Sequence, residues 1–137
     1  MSPVDVVNSL IGKPYRAGAM GPDAFDCYGL ARHLQRELWN RDMPLFHMPG
    51  EASRYTIASA IAAHPERDRW REVQAPEDGA IAVMSRQDCG YHMGVFVALD
   101  GGLVVHAMEG VGVVAESPFR LSGPAGRWRL KWMVPVE

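Results

Sequence analysis

Partway along this chain the apolar residues change period, and that change limits the fold more than any other feature. Before it, Cys27, Leu30, Ala31, Leu34 and Leu38 recur at the three-and-four spacing of a helix with one buried face. After it, from Trp70, short apolar runs alternate with turn residues, the pattern of strands joined by tight connections. Helices first and antiparallel strands after predict an α+β fold in which N-terminal helices pack on one antiparallel sheet. The 137 residues, 47% of them hydrophobic, carry no repeat, low-complexity tract or linker. A single domain over 1–137 is therefore expected, large enough to form a core without metal or disulfide staples.

Ser2 reads as the cap of a first helix, with Pro3 at its first position and Asp5 completing a capping box. Val4, Val7 and Leu10 form its apolar side, and Gly12 with Pro14 ends it. Tyr15 to Asp23 is a loop of small residues whose glycines allow a close backbone approach. Asp26 is a capping residue type, and the second helix is expected from Cys27 to about Trp39. A third is expected from Ala52 to Ala63, stopped by Pro65. The strands are Trp70–Val73, Ala80–Met84, Tyr91–Leu99, Leu103–Ala107, Val111–Glu116 and Trp128–Val134. Ala75–Gly79 and Asp100-Gly101-Gly102 are turns, and Arg86–Gly90 a polar loop.

Charge and hydropathy limit the partners. A net charge of −2 with no basic run argues against nucleic acid. No apolar run approaches the ~20 residues of a membrane span. Met1 to Asp5 lack the basic and apolar regions of a signal peptide, so the chain is expected to be made without an export signal. Its two cysteines are then better read as thiols than as a bridge. Nothing in the sequence calls for a cofactor.

The helix that begins at Cys27 puts a thiol where unpaired amides and the helix dipole favour a thiolate. A small buried core residue fits the same position equally well. A nucleophilic cysteine needs a base, and the base needs an orienting group. Among the five histidines, His33 lies away from Cys27 on its helix and is expected to be solvated, and His47 and His64 sit in loops beside prolines. His92 and His106 instead lie in neighbouring strands. A turn centred near Gly101 pairs His92 near Gly110 and His106 near Phe96, not opposite each other, unless a bulge or longer loop shifts the register. A structural role for His92 stays open at this point. So does a zinc site, in which Cys89 and His92 have two-ligand spacing and Cys27 and His106 complete four ligands.

Gly12-Lys13-Pro14-Tyr15, Asp26-Cys27-Tyr28-Gly29-Leu30, Glu77-Asp78-Gly79-Ala80-Ile81, His92-Met93-Gly94-Val95-Phe96 and His106-Ala107 occur in that order. Together they resemble the NlpC-type cysteine peptidases, papain-like enzymes that cut bacterial cell-wall peptides. The resemblance implies that Cys27 is the nucleophile, His92 the general base and His106 the polar residue that orients it. It implies that Tyr15 lines the site and that Asp26 helps to hold the substrate's free amine. Tyr28 stands where cell-wall members often carry serine, and Ala19 where a second glycine is usual. Tyr28 is therefore expected to bear on which peptide is accepted. An aromatic after the cysteine and a short chain look more like the phage tail-associated members. The expected function is a peptidoglycan stem-peptide endopeptidase working through a thioester. Its partners would be the wall peptide and other phage tail proteins, with neither nucleic acid nor membrane. Such a protein is made in the bacterial cytoplasm and acts in a phage tail or at the cell wall. A catalytically silent tail subunit that kept the fold is the alternative.

Overall fold

The computed structural model describes residues 2–43, 69–86 and 89–136, with the side chains of 89–91 left aside. The helix expected over Ala52–Ala63, with His47 and His64, lies outside these residues. Helix α1, Pro3–Leu10, starts as the capping pattern requires. The Ser2 hydroxyl accepts the Asp5 amide at 3.3 Å, and the Asp5 carboxylate accepts the Ser2 amide at 3.4 Å. Its buried residues are Val6, Val7 and Leu10, whereas Val4 is 47% exposed. The buried stripe is thus rotated from the one the sequence suggested.

Helix α2, Cys27–Trp39, is capped by Asp26 and ends at Asn40, which takes the left-handed conformation. Leu30, Ala31 and Leu34 are fully buried. Burying each leucine contributes about 1.5–3 kcal/mol. Gln35 lies beside them in the core, a position that the apolar rhythm does not reveal. Its Nε2 donates to the Gly79 carbonyl at 2.8 Å, and its Oε1 accepts from Arg41 at 3.1 Å. These bonds tie α2 to the turn before the second strand and satisfy a polar group that would otherwise be costly to bury. His33 is half-buried, its ring edge-on to Phe25 at 5.2 Å, and is not solvated as expected. The loop ahead of α2 brings Phe25 over that flank, a contact that helical spacing cannot foresee.

Among the described residues six antiparallel strands follow: β1 Trp70–Val73, β2 Ile81–Arg86, β3 Cys89–Val97, β4 Leu103–Met108, β5 Gly112–Glu116 and β6 Arg129–Pro135. Their order across the sheet is β1-β6-β2-β3-β4-β5, so the last strand inserts between the first two. The polar stretch after Met84 does not stop the ladder: Arg86 still pairs with Cys89 after an irregularity in register. Backbone pairing tolerates polar side chains, so the expected loop is partly strand. A short helix, α3 Pro118–Ser122, precedes β6 and carries Ser117 as cap with Pro118 in its first turn. That pair is a helix-start signal written in the sequence. Among the described residues no helix is long and apolar enough to cross a membrane.

The sheet has two dressed faces. Ile81, Met93, Val95, Val97, Val105, Ala107 and Val113 join the core beneath α1 and α2. Ala80, Ala82, Met84, Phe96 and Val104 meet Leu121, Trp128, Trp132 and Val134 on the other face. Strand alternation assigns His92 and His106 to this second face.

Candidate active site

The segment between α1 and α2 is held against the sheet by its own backbone. Gly12 N–H donates to the Val113 carbonyl and Val113 N–H to the Lys13 carbonyl, both at 2.9 Å. Further on, Phe25 N–H reaches the Pro14 carbonyl at 3.1 Å and Asp26 N–H the Ala19 carbonyl at 2.9 Å. The loop therefore sits on the first turn of α2. Gly29 makes this approach possible, because a Cβ there would run into the Ala19 carbonyl.

Asp26 closes the arrangement. One carboxylate oxygen accepts the Gly29 amide at 2.6 Å and the other accepts the Gly18 amide at 3.1 Å, so one side chain joins helix start to loop. Only 3% of the residue is exposed. Burial pushes its carboxyl above the ordinary range, while the amides of Gly29, Gly18 and Tyr28 pull it back. A raised folded pKa means that the folded state holds the proton more tightly than the unfolded chain. That contribution is fully present below the ordinary value of 3.8 and is lost as pH rises through the folded value. Asp26→Asn removes the titration and turns an amide group toward the Gly18 N–H. The variant is expected to be less stable at pH 7 by about 1–3 kcal/mol. Its deficit should widen as pH is lowered, and urea melts at several pH values that showed it shrinking would contradict this account.

Cys27 is the first residue of α2 and 8% exposed. It belongs to the same core cluster as Met93 and Ala107, whereas His92 and His106, one residue before each, alternate to the other side of their strands. Tyr28 is only 4% exposed and packs in that cluster. Tyr15 is half-buried and bridges to Phe25 through backbone. Asp26 and Tyr28, which the resemblance implies bear on substrate, are both buried.

The two histidines come together, by a register the sequence did not anticipate. The hairpin closes at Val97–Leu103, and the ladder runs on to Gly94–His106. Its centre is Asp100, which takes a left-handed conformation (φ 49°), and not Gly101. The shift places His106 opposite Gly94 and makes His92 its diagonal neighbour on the same face. His92 Nε2 lies 3.0 Å from His106 Nδ1. Gly94 leaves the space between them open: a Cβ there would lie 3.2 Å from the His106 Cβ and 2.6 Å from a Val104 methyl.

Beyond His106 the contacts continue to a residue the sequence had treated only as a strand end. His106 Nε2 lies 3.2 Å from Glu116 Oε1. The β4–β5 register pairs His106 with Val114 and Val104 with Glu116, so the carboxylate stands diagonally beside the ring. An acidic residue ending an apolar strand next to a histidine strand was the available signal. His106 is fully buried, and burial lowers its pKa against the opposing pull of Glu116. His92 stacks on Trp128 at 5.3 Å with the rings 30° apart, and the Arg86 guanidinium lies 4.3 Å over the same indole. Trp128 fixes the plane of the imidazole. Among the described residues no group of three or more His, Cys, Asp and Glu is arranged to hold a metal ion. The side chain of Cys89, the fourth member of the zinc set, lies outside the described residues.

No family model matches the chain, and no curated protein does. Solved structures do resemble it. One is the crystal structure of the NlpC/p60 domain of the peptidoglycan hydrolase SagA, 23% identical, with a TM-score of 0.56. The match covers 94% of this chain and 93% of that one. What the likeness establishes is the architecture: an α+β papain-like fold, its N-terminal helices packed on an antiparallel sheet.

Proposed function

We propose that this protein is a cysteine peptidase that cleaves peptidoglycan stem peptides. The observation that carries the reading is the buried His92–His106 contact at 3.0 Å, in a fold shared with a peptidoglycan hydrolase domain. A core packed only for stability gains little from two adjoining imidazoles.

In this reading the Cys27 sulfur attacks the peptide carbonyl, and His92 takes the thiol proton. The oxyanion is met by the backbone amide of Cys27 at the positive end of α2. His92 then protonates the departing amine as the tetrahedral adduct collapses to a thioester. Water, deprotonated by the same ring, releases the acid and restores the thiol. His106 orients His92. Tyr15 lines the site from the loop, while Asp26 and Tyr28 shape it from behind by holding the loop and the helix start. The bond proposed for cleavage joins D-glutamate to the diamino acid of the stem. Tyr28, an aromatic directly after the nucleophile, supports a place among the phage tail-associated enzymes, with other tail proteins as partners.

Defined muropeptides digested with the protein should yield the two product masses of that cut, and intact substrate after prolonged incubation would overturn the reading. The low exposure of Cys27 and Tyr28 favours a second reading, a tail subunit that keeps the fold without catalysis. Alkylation of Cys27 as a function of pH, followed on its own peptide by mass spectrometry, separates the two. An active site is expected to show reaction well below the ordinary thiol pKa of about 8.5. A silent subunit would follow the ordinary thiol curve.

A further inference from the structure

We infer that Glu116 is a positioning residue that sets the tautomer of both histidines, so that His92 presents an unprotonated Nδ1 as the base. The inference rests on the peptidase reading for its functional consequence, but its structural content stands on contacts already described. An ionised carboxylate can only accept, so His106 Nε2, 3.2 Å from Glu116 Oε1, carries the proton. In a neutral ring Nδ1 is then the acceptor. His92 Nε2, 3.0 Å away, must donate to it. In a neutral His92 the unprotonated nitrogen is then Nδ1, the atom that can take a proton.

The order of charges matters. Were His106 protonated, both its nitrogens would donate and His92 Nε2 would have to accept, leaving Nδ1 of a neutral His92 protonated and useless as a base. Complete burial of His106 disfavours that cation. Glu116 keeps a third of its side-chain surface in water, with 33% exposed. Arg86 of β2 lies over Trp128, the ring on which His92 stacks. Gly94 keeps the two rings in reach by adding no side chain between them.

The test uses the whole protein with 15N-labelled histidine and two variants, Glu116→Ala and the isosteric Glu116→Gln. In the parent, nitrogen shifts should show His106 protonated at Nε2 and His92 at Nε2. In Glu116→Ala, His106 should become a mixture of tautomers, with kcat on muropeptides lowered about tenfold at unchanged KM, the low end of what outer-sphere partners of histidine cost. Glu116→Gln, whose carbonyl oxygen can still accept, should recover the parent tautomer and most of kcat. A parent protein with His106 protonated at Nδ1, or a Glu116→Ala protein with parental tautomers and kcat, would overturn the assignment. The nitrogen shifts need no turnover. If Cys27→Ala were to leave cleavage intact, the peptidase reading would fall and the tautomer result would still decide the role of Glu116.

Discussion

Cys27→Ala is expected to lower kcat on muropeptides by on the order of 10⁶, the scale on which loss of a triad nucleophile acts. The fold should survive, because the exchange removes one sulfur atom from a residue that is already small. A stability change of about 1 kcal/mol, the centre of measured point-mutation effects, is the expected limit. The large loss follows from what Cys27 alone supplies. In the proposed mechanism its sulfur makes the covalent bond, whereas His92 and His106 would only move or hold protons. Cleavage kinetics with a circular-dichroism melt on the same sample separate loss of chemistry from loss of fold. Cleavage undiminished in a folded Cys27→Ala protein would remove the cysteine from the mechanism.

The second large effect concerns the scaffold under that cysteine. Gly29→Ala drives a methyl into the Ala19 carbonyl, with the Met20 Cα only 3.0 Å away. Both obstacles are backbone, so no rotamer change relieves the clash. Overpacking a tight contact typically costs 1–3 kcal/mol, and a rigid obstacle places Gly29→Ala near about 3 kcal/mol. The loop has to lift off α2, breaking the Asp26–Gly18 and Asp26–Ala19 bonds that define the helix start. Cleavage should fall with stability, since the same contacts place Cys27. Gly101→Ala is the control. Unlike Gly29 it sits at positive φ (82°), but it meets nothing within 4 Å, so it should cost only the left-handed strain of about 1 kcal/mol. Urea midpoints for the two variants would show whether the loop is seated as described. Equal midpoints would mean that it is not.

Much of this was legible in the residues themselves. The α2 boundaries were readable because Asp26 caps and Leu30, Ala31 and Leu34 repeat on one face, all local signals. The α1 capping box was equally plain, although its buried stripe was not, since Val6 is buried by neighbours and not by periodicity. Gln35 escaped notice because a polar residue enters a core only when distant groups, here Gly79 and Arg41, receive it. The histidines show the same limit. Their presence in adjacent strands was visible, but their contact depends on where the hairpin centres, and that is set by backbone conformation at Asp100 to Gly102.

By itself the sequence determined the fold class, the start of the helix that carries Cys27, and the two strands that carry His92 and His106. Hydrophobic period, capping and turn chemistry act over a few residues, and such information is written locally. The tertiary structure alone decided that β6 lies between β1 and β2, that His92 touches His106, and that Glu116 stands behind them. Each of these depends on strand register, and register is chosen by how whole faces bury against one another. A displacement of one residue would have turned the histidines to the other face of the sheet.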